Sequence, residues 1–511
     1  MKKLVLKYAM LCLVLLMVSC SEDTDYVKVI PSDATTVIAY DCKHIIEKSG
    51  LFSNEAPDSQ KEFVESHVSR LPVGKEELIR RIIDNPGESG IDFNKPMYSF
   101  VTADTDTWAL ALPVIDAQKV KTALEVLADS NLKGGKFTEE EGFAWSRLMA
   151  NSQSFYIAVN EKVLVVVCKL GSEKRNTIKD RVAIWLNQTE EQSFVTNKYY
   201  EKLLDVKGEI KGYFAMTDVP EEALMATQMI YSDNFDFGKV KYLSGISFEK
   251  GQLKFDGNLL YEDEKMHEWL KEQEKVCKKI DGKSLQNYPL STSVWFSMGL
   301  NGDKLYDHLL DHPVYGKELE EMRLPFNLEG IIRSIDGDIS LGYPTGIRMD
   351  VKNKELLKIL VGTAKTMGSL IGVQMDETAP DQYKLYGQTI SRFKPEGRKL
   401  HPYVGMKDDT FYLMSDSLSV GPLSKEQSLA SAPWANSVEG NILFVAFNFN
   451  KGSNLLNMYT TSSKQSRMLK KYFDYITLSQ HNIESNQFVL SFVDKEKNIL
   501  QQFIEMYLQM N

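Results

Sequence analysis

Apolar and polar positions change period along the chain in an order that recurs. Thr36 to Tyr40 reads as a β-branched strand, and Asp41 opens a helix through His44, Ile45 and Ile46 that Gly50 stops. Helical spacing returns near 59–69 and 75–84 before the breaker Pro86-Gly87-Glu88-Ser89-Gly90. Tyr98 to Val101 and Trp108 to Leu112 follow as two strands around the polar turn Asp104-Thr105-Asp106. Asp116 then caps a helix with Val120, Leu124 and Leu127 on one face.

From Pro289 the same order starts again. Ser293 to Met298 is a strand, and a helix runs from Asp303 to His312. Ile339 to Leu341 and Ile347 to Val351 flank the turn Pro344-Thr345-Gly346, and Asn353 caps a helix with Leu356, Leu360 and Ala364 on one face. The hairpin that begins at Tyr156 and turns at Asn160-Glu161-Lys162 runs in step with the one that begins at Tyr403 and turns at Lys407-Asp408-Asp409. Further on, the strand Gly212 to Met216 with a helix from Glu221 matches Gly440 to Phe444 with a helix near Ser453. Tyr242 to Phe248, Leu253 to Leu260 and the helix around Met266 match Tyr472 to Leu478, Phe488 to Val493 and the helix Ile499 to Leu508.

Short turns between strands make neighbours antiparallel, and helices between strands cover a face of the sheet. The expected fold is therefore α+β: duplicated strand-helix-strand-strand-helix units forming mainly antiparallel sheets backed by helices. The apolar run Val163 to Val167 implies a sheet covered on both faces there. The expected divisions are 1–19, 20–28, a first half 29–284 and a second half 285–511, with the half boundary in the segment Gly282 to Tyr288.

The first two of those divisions rest on charge and cysteine. Lys2 and Lys3 precede the apolar stretch Tyr8 to Val18, which is the size of a signal core (roughly 7–15 residues) and short of the ~20 that span a bilayer. Met17-Val18-Ser19-Cys20 resembles the processing site of bacterial lipoproteins, with Met17 where Leu is commonest. That resemblance implies a signal peptide over 1–19 and lipid attachment at Cys20, where more than one acyl chain makes anchoring stable. The acidic stretch Ser21 to Asp25 resembles the surface-export signal of lipoproteins from the Bacteroides group and also reads as a solvated tether.

The net charge of −10 and the lack of a Lys/Arg cluster argue against a nucleic-acid partner. Beyond Cys12 and Cys20, the three cysteines Cys42, Cys168 and Cys277 are odd in number and lack Cys-x-x-Cys spacing, so neither a disulfide scaffold nor a zinc ribbon is expected. The acidic start, the opening Ile30-Pro31-Ser32-Asp33-Ala34-Thr35-Thr36-Val37 and the two-fold plan resemble an uncharacterised family of Bacteroides-group lipoproteins, a domain-of-unknown-function family. The resemblance covers nearly the whole chain and brings no catalytic residue with it.

Candidate chemistry is sparse. His308 and His312 have the i,i+4 spacing of a zinc pair, but Leu309 stands where a metalloprotease needs Glu, and the face reads as solvated. Asp336-Gly337-Asp338 offers two carboxylates for calcium or magnesium and equally an Asp-Gly turn entering a strand. Asp408-Asp409 reads as a hairpin turn. Glu139-Glu140-Glu141-Gly142 offers paired acids for sugar hydrolysis and reads better as a solvated turn. Gly245-Ile246-Ser247-Phe248-Glu249 approaches a nucleophile elbow but sits in a strand, and Ser130-Asn131-Leu132-Lys133 lacks companion motifs. Trp434, in Ala432-Pro433-Trp434-Ala435, is the one tryptophan in a loop-like stretch, suited to stacking on a sugar or to plugging a core.

No catalytic, cofactor-binding or metal residue is assigned from sequence. The expected function is a membrane-anchored lipoprotein of the bacterial cell envelope, attached to the outer membrane through Cys20 and facing the cell surface, with the periplasmic face as the alternative. Its expected role is non-enzymatic, binding a glycan or protein or serving structurally, without a nucleic-acid partner. A glycan- or peptide-acting hydrolase is the alternative and requires a cleft with two carboxylates about 5–10 Å apart. A periplasmic carrier or chaperone comes third and requires a large apolar cavity or patch.

Overall fold

The computed structural model describes residues 25–53, 56–102, 107–128, 132–150, 153–169, 175–215, 237–262, 264–312, 315–322, 327–392, 401–416, 420–449 and 463–510. The expected signal and Cys20, the acidic residues before Asp25, the turn expected at Asp104-Thr105-Asp106, Ser130-Asn131 and the helices expected from Glu221 and near Ser453 lie outside the described residues. Two compact units divide the chain, one through Ala215 and one from Met216.

In the first unit the strands are β1 (Ala34–Tyr40), β2 (Met97–Thr102), β3 (Thr107–Pro113), β4 (Leu132–Gly134), β5 (Thr138–Glu140), β6 (Phe143–Ala150), β7 (Gln153–Val159), β8 (Val163–Lys169) and β9 (Ile210–Ala215). They pair antiparallel in the order β9–β1–β2–β3–β8–β7–β6, with β4 and β5 on the outer side of β6. Asp41 caps the Cys42–Ser49 helix by accepting the His44 N–H, and Gly50 ends it at φ 64°. Asp116 caps the Ala117–Leu127 helix in the same way, through the Lys119 N–H. That helix lays Val120 on Ile157, Val159 and Leu164 of the sheet. Burial of consecutive residues in β8 (Val163, Leu164 and Val165) shows the sheet covered on both faces, as the apolar run implied.

In the second unit the strands are β10 (Val240–Glu249), β11 (Gln252–Tyr261), β12 (Cys277–Lys278), β13 (Val294–Asn301), β14 (Ile335–Tyr343), β15 (Gly346–Val351), β16 (Gln374–Ala379), β17 (Gln382–Tyr386), β18 (Tyr403–Lys407), β19 (Thr410–Met414), β20 (Leu443–Asn448), β21 (Phe473–Gln480) and β22 (Ser485–Phe492). Their antiparallel order is β10–β11–β22–β21–β20–β13–β14–β15–β19–β18–β17–β16, and β12 extends the β20 side of β13. The run β20–β13–β14–β15–β19–β18–β17 repeats the pairing order β9–β1–β2–β3–β8–β7–β6 of the first unit. The α+β class with antiparallel sheets is thus the observed one.

Two details differ from the sequence pattern. The Glu355–Ile371 helix has Lys354 at its N-cap, while Asn353 accepts the Glu355 N–H one residue earlier. Its deeply buried residue is Leu357 at 3% exposure, with Leu360 at 37%, so the apolar face lies one residue further along than expected. That helix is apolar around much of its circumference, which leaves the phase of the pattern poorly defined.

One core of the second unit gathers Tyr288, Trp295, Tyr412, Trp434 and Phe444, all nearly inaccessible. Trp295 stacks on Trp434 with centroids 5.7 Å apart. Burying side chains of this size contributes about 3–5 kcal/mol each against truncation to Ala. The candidate site lies beside this core.

Candidate functional site

Strands β14, β15 and β19 lie side by side, and alternation sends every second residue to one face. On that face Ser340 stands opposite Arg348, and Arg348 opposite Tyr412. Two residues along β15, Asp350 stands opposite Thr410. At this end the β14–β15 register slips. Ile335 faces Val351 and Ile339 faces Met349, so Asp336, Gly337 and Asp338 together oppose Asp350. A bulge of this kind re-aims side chains. Gly337 permits it with φ 149°, and a Cβ at that position would come within 2.9 Å of the Asp350 Cβ and Oδ2. The Asp338 N–H donates to Asp350 Oδ2 at 3.1 Å, and Thr410 Oγ1 donates to Asp350 Oδ1 at 3.0 Å.

The segment after β12 closes over this bulge. The Asp281 N–H donates to Asp338 Oδ2 at 3.2 Å. The Asp281 carboxylate in turn accepts the Lys283 N–H at 2.9 Å and its ammonium at 2.5 Å. Between segment and sheet lies a polar cavity of about 440 Å³, walled by these groups and by Lys352, Asp408 and Asp409. That volume falls within the range of small-molecule sites. No aromatic ring lines it among the described residues.

The charges around the cavity are unequally matched. Asp336 pairs with Lys278 at 2.5 Å, and Lys352 reaches both Asp303 at 2.6 Å and Asp336 at 3.9 Å. Asp338 is 5% exposed and forms no ion pair among the described residues. Burial, reinforced by the neighbouring charges of Asp281 and Asp350, pushes its carboxyl up to about 7. Against the opposing effect of its own burial, the Lys283 contacts hold Asp281 below its ordinary value. The nearby Asp338 carboxyl adds to the Lys283 contacts in holding Asp281 down.

Arg348 is the second unusual group. Its side chain lines the cavity, yet the residue is only 8% exposed. Nη1 donates to the Val420 carbonyl at 3.3 Å, and the guanidinium lies 5.9 Å from the centre of the Tyr412 ring. It forms no ion pair among the described residues. Burial pushes its guanidinium down from the ordinary value, partly offset by Tyr288, Asp350 and Tyr412. Two rows thus cross the sheet face: Asp338, Asp350 and Thr410 form one, and Ser340, Arg348 and Tyr412 the other.

The structure brings together two motifs that read separately as turns, Asp336-Gly337-Asp338 and Asp408-Asp409. The latter turns the β18–β19 hairpin with both residues at positive φ, 48° and 59°. Among the described residues no group of three or more His, Cys, Asp or Glu is arranged to hold a metal ion. His308 and His312 lie at the end of the Gly302–Asp311 helix and beside a second cavity of about 400 Å³. His308 Nδ1 is 3.1 Å from Gln273 Nε2, and its ring meets Trp269 edge-on at 6.5 Å. His312 is 5% exposed, so this face is not the solvated one expected; the Glu264–Val276 helix covers it. Trp434 is 1% exposed and donates from Nε1 to Asn448 Oδ1 at 3.0 Å, which makes it a core plug. Glu139 and Glu140 stand in β5, not in the turn expected, and pair with Lys121 and Lys179.

Asp281, Arg348 and Asp350 were not singled out from the sequence. The signal present was the alternation Ile347-Arg348-Met349-Asp350-Val351, two charges sharing a face of a strand inside a sheet.

Three crystal forms of TP0453 show low structural likeness, each with a TM-score of 0.24 and 11% identity. The matched parts cover 46%, 50% and 51% of this chain and 79%, 87% and 89% of those chains. No curated protein matches the sequence. A family model does match, over residues 26–500, and the chain belongs to that family, described as a domain of unknown function (DUF4836).

Proposed function

We propose that this protein is a lipid-anchored lipoprotein of the bacterial cell envelope, of the Bacteroides-group type, that binds a small polar ligand without transforming it. The observation that carries the binding reading is Arg348: a cation more than nine-tenths buried, lining a 440 Å³ polar cavity without an ion-pair partner among the described residues. A buried charge is costly unless paired, and a ligand group supplies the missing partner. The anchor rests on the Met17-Val18-Ser19-Cys20 pattern and the positive start. The test is protease shaving of intact cells with Cys20→Ala and a periplasmic protein as controls. The proposal expects wild-type protein to fractionate with membranes and to be digested while the periplasmic control survives. A Cys20→Ala protein that fractionates with membranes unchanged overturns the anchor, and protection until the outer membrane is opened overturns surface exposure.

One observation favours a second reading. Asp281 and Asp338 are neighbouring carboxyls whose proton affinities are pushed apart, the arrangement that lets one act as acid and the other as base. A glycan- or peptide-acting hydrolase would use that pair. It predicts turnover of a glycan or peptide substrate that both Asp281→Asn and Asp338→Asn abolish. A carrier of apolar cargo is less well supported, because the two cavities described above are lined mainly by polar groups.

A further inference from the structure

We infer that the cavity takes a small zwitterion, a molecule carrying an ammonium and a carboxylate a few bonds apart, such as an α-amino acid or a short peptide. This rests on the binding reading of the same site and names its ligand class.

Lysines occupy Asp281 and Asp336, which leaves Asp338, Asp350 and Arg348, with the hairpin-turn carboxylates Asp408 and Asp409, as the lining charges without an ion pair among the described residues. Asp350 accepts one neutral donor on each oxygen, and Asp338 accepts the Asp281 N–H, and neither forms an ion pair among the described residues. Arg348 spends one donor on a carbonyl at 3.3 Å. The acidic row and the basic row are two residues apart along their strands, about 6.7 Å. A lone anion would satisfy Arg348 and be repelled by the carboxyls beside it. A lone cation would satisfy the carboxyls and be repelled by Arg348. A neutral sugar would leave the buried guanidinium without a direct ion pair and would find no aromatic platform among the described lining residues. A molecule with both charges at short range answers both rows. Its carboxylate lies against the guanidinium fork, where two parallel N–H···O bonds are available, and its ammonium lies between Asp338 and Asp350.

The experiment is calorimetric titration of the purified full chain with the common L-amino acids and glycylglycine, with methylammonium, acetate and glucuronate as controls. At least one zwitterion should bind, and methylammonium and acetate separately should bind at least 100-fold more weakly. Arg348→Met, which keeps the buried stem, should weaken the zwitterion at least tenfold. Asp338→Asn, which keeps shape and hydrogen bonds, should also weaken it about tenfold, with both variants retaining cooperative unfolding. Acetate binding as tightly as the best zwitterion overturns the inference. So does glucuronate binding in an Arg348-dependent manner while every zwitterion fails, an outcome that leaves the binding reading standing. Absence of Arg348-dependent binding across all probes overturns both.

Discussion

Replacing Asp338 by Asn removes a buried carboxyl that the fold holds protonated up to about pH 7 and that ionises above it, and the consequence is a stability difference that depends on pH. The unfolded chain releases this proton near the ordinary 3.8, and the folded chain holds it to about 7. A raised carboxyl contributes most at or below the unfolded value, and that contribution is lost as pH rises through the folded one. With 1.36 kcal/mol for each tenfold change in proton affinity, the upper bound of the loss is about 4 kcal/mol by pH 8. Relaxation around Asp338 and the opposite contribution of Asp281, which is held low and favours the fold above its unfolded value, reduce this to an expected ~1–3 kcal/mol. Asparagine keeps the oxygen that accepts the Asp281 N–H and retains a donor toward Asp281, and it does not ionise. Asp338→Asn should therefore match wild type near pH 4 and exceed it by ~1–3 kcal/mol at pH 8, read as urea unfolding of the second unit at both pH values. An equal difference at the two pH values, or a less stable variant at pH 8, would refute the reasoning about burial and neighbouring charge.

Three other outcomes follow from the same geometry. Trp434→Ala should cost about 3–5 kcal/mol in chemical denaturation, because the ring fills the Trp295–Phe444 core; a loss below 1 kcal/mol would mean the ring is not structural. Gly337→Ala forces a Cβ against Asp350 in a backbone region that L side chains rarely adopt, and should cost about 1–3 kcal/mol and weaken binding at the cavity; a neutral effect on both would show that the bulge is not needed. His308 is held below its ordinary 6.5, by burial first and then by His312, so the neutral ring favours the fold and its contribution is lost as pH falls below 6.5. His308→Gln should flatten the decline in stability between pH 7 and 5, measured by thermal unfolding, and an unchanged decline would place its source elsewhere.

Much of the fold was legible because it is written in local periodicity. Asp41, Gly50 and Asp116 do what their residue types imply at helix ends, and Val163 to Val167 forms a strand buried on both faces. The order of strands and helices also carried the repeat, which reappears as a shared pairing order. The phase of the Glu355–Ile371 helix was not legible, since Leu356, Leu357, Leu360 and Val361 supply apolar residues on adjoining faces. The site was legible only in fragments. Asp336-Gly337-Asp338 and Asp408-Asp409 looked like turns, and each is at a bend of the backbone. What the sequence could not display is that β14 and β19 are both neighbours of β15, which brings these bends to one cavity with Arg348. Nor does a bulge announce itself: Asp-Gly-Asp fits an ordinary turn as well as a slipped register. Trp434 left two readings open, and the core plug is the observed one, because a loop residue can be as buried as a strand residue when the loop folds onto a core.

The measurement that tests the central claim most directly is native mass spectrometry of the protein extracted in mild detergent from membranes of cells expressing the full sequence, beside Arg348→Met. The account predicts a chain beginning at Cys20 with covalent acyl mass and a non-covalent small-molecule adduct that Arg348→Met loses. A chain without acyl mass, or an adduct equally present in Arg348→Met, would contradict it.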